Sequence, residues 1–203
     1  MKYTIFNTPG IKSFFRLLSL FLMKILGWKR IGRLPVEKRY VMIAAPHTSN
    51  WDLFYGMIMN LSFKNDVRWM GKKELFRFPF GGIMKWLGGI PVDRSRSGNL
   101  VAGMVDEFKR RESLVIAVSP EGSRSRVNTW KTGFYHIARG AGVPVLTAFL
   151  DYEKKEAGYG PLFTPGDDIR SDMELIMDFY RNIEGRYRSS YSSVVLKDIP
   201  APD

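Results

Sequence analysis

The chain has 203 residues, 45% of them hydrophobic, so it can bury one sizeable core and we expect one α/β domain. It contains no cysteine, which excludes disulfides, thiolate metal sites and a cysteine nucleophile and agrees with a cytoplasmic location. Its formal net charge of +11 favours an anionic partner, which could be nucleic acid, an anionic membrane surface or a phosphorylated substrate.

The first long segment, residues 11–30, is strongly apolar but is interrupted by Arg16 and Lys24. Its charge-free run at 17–23 is much shorter than the ~20 apolar residues that cross a bilayer. No small-residue cleavage site follows, so we expect neither a span nor a signal peptide. Wound as a helix, the segment has a polar stripe of Lys12, Arg16 and Ser19, and its other side carries Phe14, Leu18, Phe21, Leu22 and Ile25.

Two interpretations of this helix are open. It could lie in the membrane interface with its basic residues on anionic head groups, or it could pack on the protein's own core. The wide arc of Phe and Leu favours the membrane. We therefore predict an amphipathic membrane-associating helix within residues 1–34, followed by a second domain at 35–203. The resulting protein would be peripheral (monotopic), on the cytoplasmic face of a membrane with anionic lipids.

Strand and helix patterns alternate along the rest of the chain. In chain order we predict strand 39–45, helix 50–62, strand 67–70, a helix from Pro79 to about Leu87, strand 89–93, a helix capped by Asn99 that includes Phe108, strand 113–118, helix 132–140, strand 143–150, a hairpin at 152–163, and a last helix that the capping box Ser171 and Glu174 opens and that reaches about Ile183. The alternation predicts an α/β fold with a largely parallel sheet flanked by helices.

The first polar cluster, AAPHTSNWDLF (44–54), contains one of only two histidines. His47 follows a predicted strand, at the carboxyl end where open α/β sheets place their sites. Ser49 and Asp52 fit a helix cap, in which case His47 is incidental. Alternatively, Asp52 accepts the Nδ1 proton of His47 and leaves Nε2 free as a base. The spacing alone does not decide between these interpretations.

Two further stretches place polar residues at strand ends. VSPEGSRSR (118–126) follows the clearest buried strand and sets Glu121 and Arg124 beside a glycine that lets backbone approach a ligand. GKKELFRFPFGGIMKWLGGIPVDRS (71–95) reaches Arg94 just after another predicted strand. Taken singly, the first could be an ordinary polar turn and the second a solvated basic loop.

Together and in this order, these stretches resemble the motifs of the lysophospholipid acyltransferase superfamily, and most closely the bacterial 1-acylglycerol-3-phosphate O-acyltransferase group. The matching residues are His47, Ser49 and Asp52 in the first motif; Lys72, Glu74, Leu75, Pro79, Gly89, Ile90, Asp93 and Arg94 in the second; Pro120–Arg124, continued by Lys131, Gly133 and Phe134, in the third; and Val143–Val145 in the fourth. The resemblance covers roughly 35–150. Pro46 departs from the asparagine that often precedes the family's histidine.

The resemblance implies acyl transfer from acyl-CoA or acyl carrier protein to the hydroxyl of a lysolipid, foremost 1-acylglycerol-3-phosphate, in phospholipid synthesis. It implies a glycerolipid acyltransferase-like fold, with His47 as the general base and Asp52 orienting it. The substrate-binding residues that it implies are Lys72, Arg94, Glu121, Gly122, Ser123 and Arg124, with Arg94 and Arg124 on a phosphate. We expect no cofactor and no metal, and the oxyanion donors stay open between the backbone near Gly122 and the helix after His47.

Other functions remain to be separated from this one. The acceptor could be another lysophospholipid or a lyso-ornithine lipid, or water could replace it and make the protein a thioesterase. A basic binder without catalysis is a further alternative, but no P-loop, dinucleotide fingerprint or RNA-binding signature is present, so we expect no nucleic acid partner.

Overall fold

The computed structural model describes residues 3–92, 97–187 and 190, with residues 97–99 described by their backbone alone. The helices are α1 (Ile11–Ile25), α2 (Trp51–Phe63), α3 (Gly81–Trp86), α4 (Ser97–Arg110), α5 (Gly133–Ala141) and α6 (Ile169–Tyr180), with a short 3-10 helix at Lys73–Phe76. The strands are β1 (Lys29–Ile31), β2 (Arg39–Ala44), β3 (Val67–Lys72), β4 (Gly89–Val92), β5 (Leu114–Val118), β6 (Val145–Asp151) and β7 (Glu156–Phe163).

The seven strands of the described residues form one sheet in the order β1-β7-β6-β2-β5-β3-β4. Only β6 and β7 are antiparallel, so the predicted largely parallel sheet is confirmed. Side chains alternate between the two faces of a strand, and β2 shows the result. Val41 and Ile43 join a buried cluster with α4, α5 and α6, whereas Tyr40 and Met42 join a second cluster with α1 and α2. The parallel strands therefore end at one common edge, with helices on both faces.

Two predicted helix starts are wrong. The helix predicted from Pro79 begins at Gly81, which packs so tightly on the backbone of Phe76 that a side chain would not fit there. The helix predicted to be capped by Asn99 already begins at Ser97, so Asn99 lies within it.

The last helix and the hairpin before it also differ from the prediction. The last helix is capped by Asp168, whose carboxylate accepts the Arg170 N–H at 2.9 Å, and Ser171 donates its hydroxyl to that carboxylate at 2.8 Å. The capping box of Ser171 and Glu174 is thus wrong, and the helix ends at Tyr180. The predicted hairpin at 152–163 is the turn and second strand of a hairpin that begins with β6.

The N-terminal segment folds against the sheet. β1, which the sequence did not predict, pairs in parallel with β7. Helix α1 packs on α2 and buries Ser19 and Met23. Its outward residues are the largely exposed Phe14, Leu17, Phe21 and Ile25. Within the described part of the chain, no helix is both long and apolar enough to cross a bilayer. The division of the chain near residue 34 stays a prediction.

Candidate active site

His47 lies in the loop between β2 and α2, at the carboxyl edge of the sheet. Its Nδ1 is 3.0 Å from Oδ2 of Asp52, a buried residue in the first turn of α2. The same oxygen accepts the backbone N–H groups of Thr48 and Ser49 at 2.9 and 2.8 Å. The two interpretations of Asp52 are therefore compatible, because one carboxylate serves the helix start and the imidazole. The His47 side chain is 31% exposed, so its Nε2 is within reach of a substrate.

Glu121 supports the same loop from the turn after β5. It is 2% exposed, and its Oε2 accepts the backbone N–H of His47 at 2.7 Å and the hydroxyl of Ser119 at 3.2 Å. Its Oε1 is buried and has no hydrogen-bond partner among the described residues. Burial raises the pKa of Glu121 to about 7, although the His47 contacts oppose that rise. Glu121 thus holds the loop that carries His47, and its contact with an acceptor stays a prediction.

The turn that carries Glu121 also shapes the mouth of a cavity. Gly122 has φ of 64°, and a side chain there would come within 3.1 Å of Lys131 Nζ. Lys131 is tied to the turn, since its N–H donates to the Pro120 carbonyl at 2.8 Å. The Gly122 N–H donates to the Ser119 carbonyl at 3.1 Å. That bond occupies the amide of Gly122 itself, and the choice of oxyanion donor between the backbone near Gly122 and the helix after His47 stays a prediction.

The cavity has a volume of about 1430 Å³. Its polar wall contains His47, Asp52, Lys72, Gly122, Ser123, Arg124 and Lys131, so the structure brings most of the predicted substrate-binding residues to one space. Its apolar wall includes Met42, Leu53, Met57, Met59, Trp69, Met70 and Met84. Arg94 lies outside the described residues. The arrangement offers a cationic end beside an imidazole and an apolar interior of the kind that hydrocarbon chains occupy.

The sequence motifs do not include Tyr152, which follows β6. Its hydroxyl donates to Oδ1 of Asp52 at 2.7 Å. Burial and this hydrogen bond raise the pKa of Tyr152 well above its ordinary value, so the hydroxyl stays a donor. One signal could have found it: the strand 143–150 was predicted, and a residue after a central strand lies at the site edge. Among the described residues no group of three acidic or histidine side chains is placed to hold a metal.

The family model described as Acyltransferase matches residues 29–151, more than half of the chain. The chain belongs to the acyltransferase family. It is 39% identical over 84 residues to the 1-acyl-sn-glycerol-3-phosphate acyltransferase of Salmonella typhimurium, a stretch that covers 38% of this chain and 34% of that protein. It is 30% identical over 137 residues to the protein of the same name from Haemophilus influenzae, covering 62% of this chain and 55% of that protein.

A solved structure supports the family assignment at the level of fold. The 1-acyl-sn-glycerophosphate (LPA) acyltransferase of Thermotoga maritima aligns with a TM-score of 0.59 and 15% identity, covering 84% of this chain and 77% of that one. The matches to the two curated relatives span only 34% and 55% of their lengths. The family match includes the His47–Asp52 pair and Glu121, and it ends one residue before Tyr152.

Proposed function

We propose that this protein transfers an acyl group from a thioester, acyl-CoA or acyl-ACP, to the hydroxyl of a lysolipid, with 1-acylglycerol-3-phosphate as the acceptor. The observation that carries the proposal is the His47–Asp52 pair at the mouth of a cavity with a cationic wall and an apolar interior. The relatives from Salmonella typhimurium and Haemophilus influenzae are named for this acceptor, which supports the choice.

The reaction needs one base. Asp52 holds Nδ1 of His47, so Nε2 takes the proton of the acceptor hydroxyl as its oxygen attacks the thioester carbonyl. The new C–O bond forms, the C–S bond breaks, and the thiolate leaves with the proton that His47 returns. A thiol has an ordinary pKa near ~8.5, so its thiolate leaves without a separate acid. A positioned base of this kind contributes roughly 10²–10⁴ in rate.

The cationic wall would bind the acceptor's phosphate. Lys72, Arg124 and Lys131 line the same cavity as His47. An arginine can make two parallel hydrogen bonds to a phosphate, and lysine adds a compact charge. Among the described residues these three side chains form no ion pair with a carboxylate, so an anionic ligand gives a reason for their position on one cavity.

Replacing Arg124 tests the acceptor. Arg124→Ala should lower kcat/KM for 1-acylglycerol-3-phosphate about 10- to 100-fold, because a charge-assisted hydrogen bond is worth roughly 1.5–3 kcal/mol. Monoacylglycerol has no phosphate, so the variant and the wild type should use it equally poorly. The measurement is diacyl product against free fatty acid over a panel of lysolipids and both thioester donors.

Arg110→Ala is the matched control. It also removes one positive charge, and Arg110 is the last residue of α4 and does not line the cavity. Equal losses on both acceptors would show that Arg124 serves the fold. If free fatty acid were the main product, the protein would be a thioester hydrolase and the proposed acyl transfer would be wrong.

We further propose that the protein works on an anionic membrane surface. The outward face of α1 carries Phe14, Leu17, Phe21 and Ile25. A second apolar projection consists of the 3-10 helix, the loop that leads into α3 and the first turn of α3. It carries Leu75, Phe78, Phe80 and Ile83, and Phe78 is 98% exposed. Phe15 of α1 contacts Trp86 of α3 with ring centroids 5.9 Å apart, so the two surfaces are neighbours. Exposed aromatic residues among lysines and arginines are typical of interfacial binding.

The second apolar projection also gives a route for the acceptor. Leu75 and Met84 line the cavity, whereas Phe78 points away from the molecule. Phe76, between them, fixes the projection by packing on Trp69, with centroids 5.9 Å apart. A lysolipid could therefore pass from the bilayer to the cavity without exposing its chain to water.

A further inference from the structure

Tyr152 completes the surroundings of Asp52 from outside the family match. Its hydroxyl donates to Oδ1 at 2.7 Å, whereas His47 and the amides of Thr48 and Ser49 meet Oδ2. Both oxygens of the carboxylate are therefore occupied. A carboxylate held at both oxygens cannot rotate about its terminal bond without breaking a bond to one of these partners.

The ring of Tyr152 is itself held in place. The ring of Trp28 lies 5.2 Å from it and the ring of Tyr55 5.6 Å, measured between centroids. The guanidinium of Arg186 lies 5.7 Å from the ring centroid. The backbone N–H of Tyr152 donates to the carbonyl of Glu184 at 2.9 Å. The hydroxyl thus reaches Asp52 from a fixed position.

The C-terminal segment 184–187 links Tyr152 to the loop that carries the base. Tyr187 donates its N–H to the hydroxyl oxygen of Thr48 at 3.2 Å. At Gly185, an added side chain would come within 2.9 Å of Thr48 and 3.1 Å of Pro46. This close packing places the segment directly against the residues on either side of His47.

We propose that Tyr152 is a positioning residue that holds Asp52 and takes up part of its negative charge, and that it thereby limits how strongly Asp52 stabilises the protonated imidazole of His47. The inference rests on the proposed acyl transfer. A carboxylate that shares its charge with a hydroxyl stabilises an adjacent imidazolium less. The other ionisable or charged groups that face this cluster are Tyr55 of α2, Glu121 after β5, Lys131 before α5 and Arg186 of the C-terminal segment.

Tyr152→Phe removes only the hydroxyl, and the chain offers a direct readout. It has two histidines, His47 and His136, whose ring protons can each be followed by NMR as pH is varied. In the variant, the midpoint of the His47 titration should move upward by roughly half a pH unit. Losing one hydrogen bond changes a pKa by about one unit at most, and only part of that effect is transmitted through Asp52 to the imidazole. His136 should titrate as in the wild type.

The rate should follow the titration. The acid limb of the pH–kcat profile should shift upward by the same amount, the alkaline plateau should stay within about threefold of the wild type, and KM for the acceptor should not change. Tyr159→Phe is the control, because it removes a buried tyrosine hydroxyl that bonds Asn60 and Asn65 in the same protein. It should lower the melting temperature without moving the His47 titration.

An unmoved His47 midpoint, or equal shifts at His47 and His136, would overturn the inference. So would a kcat that is reduced by the same factor at every pH. The titration needs no turnover, so it decides the role of Tyr152 even if wild-type protein proves unable to transfer an acyl group, which would instead defeat the proposed function.

Discussion

Two carboxylates beside His47 are treated differently by their surroundings. The carboxylate of Asp52 is hydrogen-bonded to the imidazole of His47, to two backbone amides and to the Tyr152 hydroxyl. Glu121 receives one amide and one hydroxyl and buries an oxygen that has no partner among the described residues. Hydrogen-bond donors stabilise a charged carboxylate, whereas burial without them favours the neutral acid. We infer that Asp52 orients the imidazole of His47 and that Glu121 supports the loop that carries it.

Glu121→Gln should change how stability depends on pH. Burial raises the pKa of Glu121 from 4.5 to about 7, so between these values the folded protein binds a proton that the unfolded chain has lost. The free energy of unfolding should therefore fall as pH rises through this window and level off above it. The variant cannot titrate, so its stability relative to the wild type should increase across the window by up to about 3 kcal/mol.

Urea unfolding at closely spaced pH values measures this difference. Glu37→Gln serves as a control, because Glu37 is exposed and the same change there should give a flat difference. A flat difference for Glu121→Gln as well would show that its carboxyl is charged throughout and that the pKa is not raised.

At the scale of elements, the sequence predicts the parallel strands and the polar residues at their ends. Continuous apolar runs such as 114–118 are distinctive, and the end of a strand can be located without side-chain geometry. The start of α3 was less predictable, because Gly81 meets the backbone of Phe76 only in the folded chain. Strand β1 has three residues, too few for a periodic signal, and depends on β7 for its partners.

The same comparison holds for the candidate site. His47, Asp52 and the turn around Glu121 follow strands that are neighbours in the sheet, and the structure does bring them together. Tyr152 is 100 residues from Asp52 along the chain, and its contact depends on how β6 lies beside β2. The sequence does not indicate a contact between residues so far apart, whereas His47 and Asp52 are close enough in the chain to be recognised as a motif.

The two apolar surfaces on α1 and the α3 loop predict binding to anionic vesicles. Leu17→Glu and Phe78→Glu should each weaken sedimentation with vesicles of phosphatidylglycerol and phosphatidylethanolamine by about 10-fold or more. Burying a Leu or Phe side chain contributes roughly 1.5–3 kcal/mol, and each 1.4 kcal/mol is a factor of ten. Both variants should retain wild-type activity toward a water-soluble, short-chain acceptor, since neither residue lines the cavity.

Val36→Glu provides the control for these variants. Val36 is 93% exposed but lies ahead of β2, at the amino edge of the sheet. It should bind vesicles like the wild type. If all three variants bound equally well, the apolar surfaces would have no role in membrane binding, and a general attraction by the +11 net charge would explain it.

The whole molecule combines a rigid parallel sheet with loops that converge at one edge. The strands place His47 after β2, Glu121 after β5 and Tyr152 after β6. The cavity begins at this edge and continues between apolar side chains, beside the loop that projects Phe78. One face of the molecule would therefore meet the bilayer, and the chemistry would take place next to it.

The most direct test of the account is acyl transfer by purified wild-type protein and His47→Ala. With an acyl thioester and 1-acylglycerol-3-phosphate in vesicles, the wild type should release free thiol and form diacyl product in equal amounts. His47→Ala should lose about 10²–10⁴ of this rate while unfolding at the same temperature, and Asp52→Asn should also be slow while still binding the acceptor. A His47→Ala protein that forms diacyl product at the wild-type rate would contradict the account.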